Sequence, residues 1–426
     1  MKIFPQSELR PVRLLLAPFT RFVQLESSGS IVLLLATIIA LFWANSRFAT
    51  SYEAFLHLPI GIAAGRASFH WPLHEWVNDA LMAIFFLVVG LEVKRELLIG
   101  ELASLRRAFL PVLVAIGGVI TPALIYAALN FHGPDAHGWG VPVATDIAFS
   151  LAALNLFGSR IPLGLKVFLA SLAIVDDIAG VLIIAVAYTR QLHLFYLVLV
   201  LLLFLFCLLL NWLGVMRLSV YMAAGIALWW AFRASGLHPT LAGVLLALAI
   251  PSRTPLPARK PGHHELEGAE SPLDRLQAAL HPWVSFGIVP LFALINAGIS
   301  LHEFHADTIL HHAFLGIFFG LVLGKPLGIT LFAWLAVRLR FAELPVGVRW
   351  MDLHAVSWLG GIGFTVSIFI AGLAFLTDES YTTARIAILA ASACAAAIGL
   401  ALLAIAQIRS GNKPFTRARL RQSPVA

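Results

Sequence analysis

Residues 171–185 read SLAIVDDIAGVLIIA. Two adjacent acids, Asp176 and Asp177, sit near the middle of an apolar run over about 162–188. Such a run exceeds the ~20 residues that a helix needs to cross a bilayer. An ionisable side chain at that depth costs at least ~2.5–3.5 kcal/mol on insertion scales, so its presence points to function. Neighbours on a helix project roughly 100° apart, which lets both acids touch one polar cavity. Two adjacent carboxylates cannot both be ionised cheaply in a low dielectric. A pair of this kind suits a site that holds either a cation or protons. The alternative, a pair neutralised by salt bridges for packing alone, would be served at lower cost by apolar residues.

The rest of the chain has the same character. Of 426 residues, 60% are apolar and 12% charged, against about 45–50% and about 25% in soluble domains. Mean hydropathy is +0.90. So few charges cannot coat a water-facing surface, which excludes a string of soluble domains and leaves an all-α polytopic membrane protein. Apolar runs place about twelve transmembrane helices, at 27–45, 74–98, 108–130, 139–157, 162–188, 194–212, 218–234, 237–251, 279–300, 313–336, 353–376 and 383–408. The transmembrane domain thus occupies 27–408, between a cytoplasmic N-terminal segment 1–26 and a basic tail 409–426. Within it, 252–278 is rich in Pro, Gly and charge and reads as a cytoplasmic loop. Cys207 and Cys394 fall inside apolar runs and read as small core residues, with no disulfide or metal framework.

Charge fixes the orientation. With the N-terminus inside, 23 of the 29 Lys and Arg fall on the cytoplasmic side and five on the other. Cytoplasmic loops of membrane proteins carry such an excess, so both termini are expected inside the cell. The net charge of +7 is therefore topology, and no nucleic-acid partner is expected. The remaining cation, Lys325, has about ten apolar residues on each side, too many for it to snorkel to the interface. In the first external loop, apolar residues alternate around Gly65-Arg66, which suggests one external β-hairpin over 57–72. An isolated hairpin is marginally stable and would find a partner edge in a second copy of the chain.

Two further stretches break the helical pattern. GWGVPVATDIAFS (138–150) carries Gly140 and Pro142 just before Thr145 and Asp146, and GGIGFT (360–365) interrupts the span over 353–376. Broken backbone at membrane depth is tolerated only where protein or a wet cavity covers it. The two breaks lie in the middle helices of two helix triplets that enter the membrane from opposite sides. That is the pattern of an inverted repeat with two discontinuous crossing helices. Half-helix N-termini are positive and C-termini negative, so Asp146 and Lys325 suit the two kinds of end.

In these features, and in long runs such as NDALMAIFFLVVGLEVKREL (78–97), VPVATDIAFSLAALNLFGSRIPL (141–163), GLHPTLAGV (236–244), GKPLGI (324–329) and GGIGFTVSIFIAGLAF (360–375), the chain resembles the bacterial NhaA-type sodium/proton antiporters. The likeness covers about residues 25–405, and that family is itself a type example of the inverted-repeat arrangement. The resemblance implies cation and proton binding at Asp176 and Asp177, with Asp146, Thr145 and Lys325 supplying charge compensation. Asp79 matches an acid of the periplasmic passage. Glu92, Arg95, Glu96 and His238 match positions tied to pH response. By themselves the first three read as a solvated helix end and His238 as a helix-start histidine. Gln277 and Ala278 stand where the family pattern has an acid and a histidine, which removes two titrating groups. The family further implies electrogenic exchange of Na+ or Li+ for H+ in a bacterial inner membrane, a role in pH homeostasis, a homodimer, no cofactor and no enzymatic activity. A sodium-coupled anion symporter would need a more positive pocket than Lys325 alone supplies. An intramembrane aspartyl protease would leave Lys325 and the broken helices idle, and a passive channel would leak Na+ without a pH gradient.

Overall fold

The computed structural model describes residues 28–64, 67–189, 192–253, 270–300, 306–345 and 347–409. The expected segment 1–26, most of the loop at 252–278, the tail from 410 and the Gly65-Arg66 turn lie outside them. Helices dominate. A 17-residue α1 (Ser28–Ala44) meets the short α2 (Ala49–Leu56) at 119°. Strands β1 (Pro59–Ala64) and β2 (Ala67–Pro72) then form the expected antiparallel hairpin, with Ile60 opposite Trp71 and Ala64 opposite Ala67. There follow α3 (Leu73–Ile99), α4 (Leu105–Asn130), a 3-10 segment (Ala136–Val143), α5 (Ile147–Asn155), α6 (Leu163–Ala187), α7 (Leu194–Trp212), α8 (Leu218–Ser235) and α9 (Leu241–Ala249). The chain closes with α10 (Pro272–Asn296), α11 (His312–Arg338), α12 (Trp350–Leu359), α13 (Phe364–Ala374) and α14 (Asp378–Arg409).

Among the described residues seven helices are long and apolar enough to cross a membrane, or up to nine if each of two bent pairs is one span. That is fewer than twelve, for local reasons. The run at 139–157 is broken between its 3-10 segment and α5. α8 carries Arg233 in its last turn. α9 has nine residues, which at 1.5 Å per residue reach about half of the hydrocarbon core. α8 and α9 are parted by Gly236, whose φ of 88° is the left-handed conformation that glycine adopts without a Cβ penalty.

The bundle buries apolar side chains of every size, Phe292 and Tyr126 among them, and leaves many further large apolar ones outside. α7 shows this most fully, with only Val200 and Cys207 buried and Leu201, Leu202, Leu205 and Phe206 facing out. An outward apolar face is what lipid solvates, so such a helix belongs at the rim. At the centre α4 packs along α11, and small residues set the separation. A Cβ on Gly328 would run into the Gly117 carbonyl. One turn earlier, the π turn Gly320–Gly324 of α11 lies against Pro142 and Pro122. This close approach places the next residue, Lys325, wholly inside the protein.

Gly328→Val should therefore force α4 and α11 apart and destabilise the bundle by about 1–3 kcal/mol. Gly180→Ala, where a Cβ meets nothing within 4 Å, should be neutral or slightly stabilising. Thermal melting in detergent checks both; equal melting temperatures for the two variants would contradict the close packing.

Candidate functional site

The two interrupted stretches meet. After its 3-10 segment the chain runs extended through Ala144 and Asp146 before α5 begins, and α12 and α13 bend by 47° across Gly360–Gly363. Each break would leave backbone groups unpaired in a dry interior, at a cost of several kcal/mol per group. Each supplies partners to the other. The Asp146 amide donates to the Ile362 carbonyl at 2.6 Å, Ser150 Oγ to the Leu359 carbonyl at 2.8 Å, and Ser367 Oγ to the Val141 carbonyl at 2.9 Å.

Asp146 does most to join them. Its Oδ1 accepts from the Phe149 amide at 3.1 Å, which caps α5. Its Oδ2 accepts from the Thr365 amide at 3.1 Å and the Thr365 hydroxyl at 2.5 Å, which caps α13. One carboxylate thus terminates two half-helices whose positive ends converge on it. The rings of Phe149 and Phe364 pack edge to face at 5.0 Å beside it. Thr365 is a residue whose capping role the sequence did not disclose, although it follows the GGIG break directly.

One helix over, α6 brings the paired acids to the same depth. Asp176 Oδ2 accepts from Lys325 Nζ at 2.5 Å and from Thr145 Oγ1 at 2.8 Å, while its Oδ1 is buried with no hydrogen-bond partner among the described residues. Thr145 Oγ1 also lies 2.8 Å from the Gly360 carbonyl. A hydroxyl has one proton, so Thr145 donates to the carboxylate or to the broken helix, one at a time. The carbonyl end at Gly360 is thus met by Thr145, and the Lys325 ammonium is spent on Asp176. The carboxylate of Asp177, a residue 7% exposed, makes no hydrogen bond or ion pair among the described residues. The charges that act on it are those of Asp176, Glu92, Asp146 and Lys325. Breaking a buried ion pair by removing one partner costs about 3–5 kcal/mol, so Lys325 and Asp176 are bound to each other's charge state.

The remaining expected residues fall into two groups away from this centre. Glu92 accepts a hydrogen bond from Gln277 on α10, and Arg95 lies 3.8 Å from Asp274, also on α10, in an exposed pair worth at most about 1 kcal/mol. Glu96 lies on the same turn of α3. The partners Gln277 and Asp274 come from a helix far along the chain, so nothing in the local sequence around Glu92 points to them. At the hairpin end, Asp79 lies on the π turn Trp76–Leu81 with Arg233 on one oxygen and His238 at 3.9 Å from the other. Among the described residues, π turns at Trp76–Leu81, Val284–Ile288 and Gly320–Gly324 interrupt helices that periodicity alone reads as regular; π bulges are frequent at functional sites. Among the described residues no group of three or more His, Cys, Asp or Glu side chains is placed to hold a metal ion.

Apolar helices that enclose carboxylates, an ammonium and two crossed helix breaks define an ion-handling, multi-pass membrane transporter. Residues 20–403 match the family model described as Na+/H+ antiporter 1, and the chain belongs to that family. It is 45% identical to a protein of Oleidesulfovibrio alaskensis named Na(+)/H(+) antiporter NhaA, over 96% of this chain and 98% of that one. Proteins of the same name from Citrobacter koseri and an Escherichia coli strain are 46% and 47% identical, each over 90% of this chain and 97% of their own.

The shared cap is testable. Asp146→Ala removes both caps and should lower stability by about 1 kcal/mol for each. Asp146→Asn keeps one acceptor oxygen and should lose about half as much. A detergent melting temperature unchanged in Asp146→Ala would rule out the shared cap.

Proposed function

We propose that this chain exports Na+ (or Li+) in exchange for a larger number of incoming protons, across a bacterial inner membrane with both termini in the cytoplasm. What carries the reading is Asp177: a carboxylate at mid-membrane without a partner of its own, next to an Asp176 already held by Lys325. The twelve-helix inverted repeat is part of the proposal and is supported by the two breaks that satisfy each other's backbone. The excess of Lys and Arg in alternate loops supports the orientation. Leu58 and Ile60 are exposed on and beside the hairpin, which supports a homodimer formed through 57–72.

With the cavity open inward, Na+ binds Asp176 and Asp177, separates Asp176 from Lys325, and displaces one proton from Asp177 and one from the Asp176–Lys325 pair. The bundle carrying the broken helices then rocks and exposes the site outward. Protons from the more acidic exterior replace Na+, Lys325 recaptures Asp176, and the protonated carrier returns. A carrier with ionised, unoccupied carboxylates would carry uncompensated charge through hydrocarbon, which suppresses slippage. Thr145 serves the cycle at the junction: it donates to ionised Asp176 and turns to Gly360 when the acid is protonated. Asp146 compensates the half-helix ends throughout. More protons than sodium ions per cycle makes transport electrogenic, driven at about 2.3 kcal/mol per charge per 100 mV. Asp79 lines the outer passage. Glu92, Arg95, Glu96 and His238 adjust activity to pH, with fewer titrating groups than in a cluster that has an acid at 277.

In proteoliposomes, wild-type protein should dissipate an imposed pH gradient on addition of Na+ or Li+, faster when the membrane potential favours inward charge. Asp177→Asn should lose this activity by at least about two orders of magnitude, since an uncharged amide neither balances Na+ nor titrates. Where protons and Na+ compete, apparent KM for Na+ should rise by about tenfold for each unit by which the pH falls, per proton displaced. Wild-type exchange in Asp177→Asn would sink the site assignment, and a voltage-independent rate would sink electrogenic exchange.

A further inference from the structure

A second charged assembly lies at the hairpin end of the bundle. There a cavity of about 210 Å³ is lined by Glu75, Asn78, Asp79, His238, Asn296 and Phe369, among others. Phe369 belongs to α13, so the cavity reaches the half-helix that Asp146 caps. Its acids are not open to it unhindered. The left-handed turn at Gly236 brings Arg233, from the end of α8, and His238, before α9, onto the two oxygens of Asp79. Arg233 Nη2 also lies 3.9 Å from Glu75. On its other side the guanidinium carbon sits 3.6 Å from the ring centre of Trp71, in strand β2. Trp71 packs on Trp76 at 5.3 Å and on Trp229 at 6.0 Å, and Trp76 Nε1 donates to the Ile60 carbonyl of β1 at 2.9 Å. The hairpin therefore reaches the acids of the cavity through one aromatic ring and one guanidinium.

We propose that Arg233 is a resident counter-cation of the outer passage, clamped by Trp71 of the hairpin, and that it sets how readily Na+ enters from this face. This rests on the reading of the Asp79 end as the outer end of the ion path. Glu75 and Asp79 supply two negative charges and Arg233 cancels one. A cleft lined by one sign of charge concentrates the opposite ion, and halving its charge weakens that concentration. With about a third of its side chain exposed, Arg233 can be displaced from Asp79 by an arriving cation. The effect belongs to one face: Na+ that would re-enter from outside meets a mouth with half its negative charge cancelled. A cation at a helix C-terminus also stabilises that helix, but this role would act on both faces alike.

The test uses proteoliposomes with all molecules in one orientation, Na+ offered on either face, and the variants Arg233→Gln and Trp71→Leu. In Arg233→Gln the KM for Na+ at the hairpin face should fall roughly two- to tenfold, and in Trp71→Leu by a smaller factor, while KM at the opposite face and the maximal rate stay at wild type. An unchanged or raised KM at the hairpin face in both variants, or an equal shift on both faces, overturns the proposal. If Arg233→Gln does not elute as a folded species, Trp71→Leu decides alone. Wild-type protein that moves no protons in response to Na+ on either face would instead refute the antiport reading itself.

Discussion

A helix broken inside hydrocarbon leaves amides and carbonyls that water cannot reach, and this protein breaks two helices at the same depth. The structure depends on how those groups are answered. Asp146 terminates α5 and α13 with one carboxylate, and its own amide reaches across to Ile362. Thr145, Ser150 and Ser367 meet the carbonyls at Gly360, Leu359 and Val141. The two breaks are therefore one object: neither could persist in a dry interior without the other. A crossing built this way gathers polar groups at a common point among apolar neighbours.

The paired acids draw their character from that neighbourhood. Asp176 is tied to Lys325 and, through Thr145, to the break; Asp177 is tied to nothing among the described residues. The contrast between neighbours in sequence arises from helix geometry. With a turn of roughly 100° per residue, Asp176 meets Lys325 of α11 and the Asp177 side chain does not. Lys325 reaches Asp176 because glycines of α11 let that helix lie against Pro122 and Pro142. The chemistry of the site thus begins with small residues that carry no charge.

Much of this was legible in the residues before any coordinates. Asp176, Asp177, Asp146 and Lys325 stood out because an ionisable group in an apolar run has few harmless explanations, and the breaks stood out through Pro142 and the 360–363 glycines. The hairpin followed from two-residue alternation about a Gly-containing turn. Where local reading failed, the cause was length or partnership. Hydropathy averages over a window and does not see where hydrogen bonding stops, so it disclosed neither the nine-residue length of α9 nor where the stretch before α5 leaves its 3-10 turn. Thr365, Asp274 and Arg233 went unassigned, and Gln277 was noted without its partner Glu92, because each acts on a residue far away in the chain.

The sequence by itself determined the class, because apolar runs dominate and charge is scarce, and that scarcity made each buried charge conspicuous. Only the tertiary structure decided which partner each charge takes. It gave Lys325 to Asp176 and left Asp177 open, gave Asp146 two helix ends to cap, and set Arg233 between Trp71 and Asp79. Those pairings join residues up to 219 positions apart. They follow from helix separation, from left-handed turns and from the aim of a side chain out of a broken helix, none of which hydropathy or local spacing encodes.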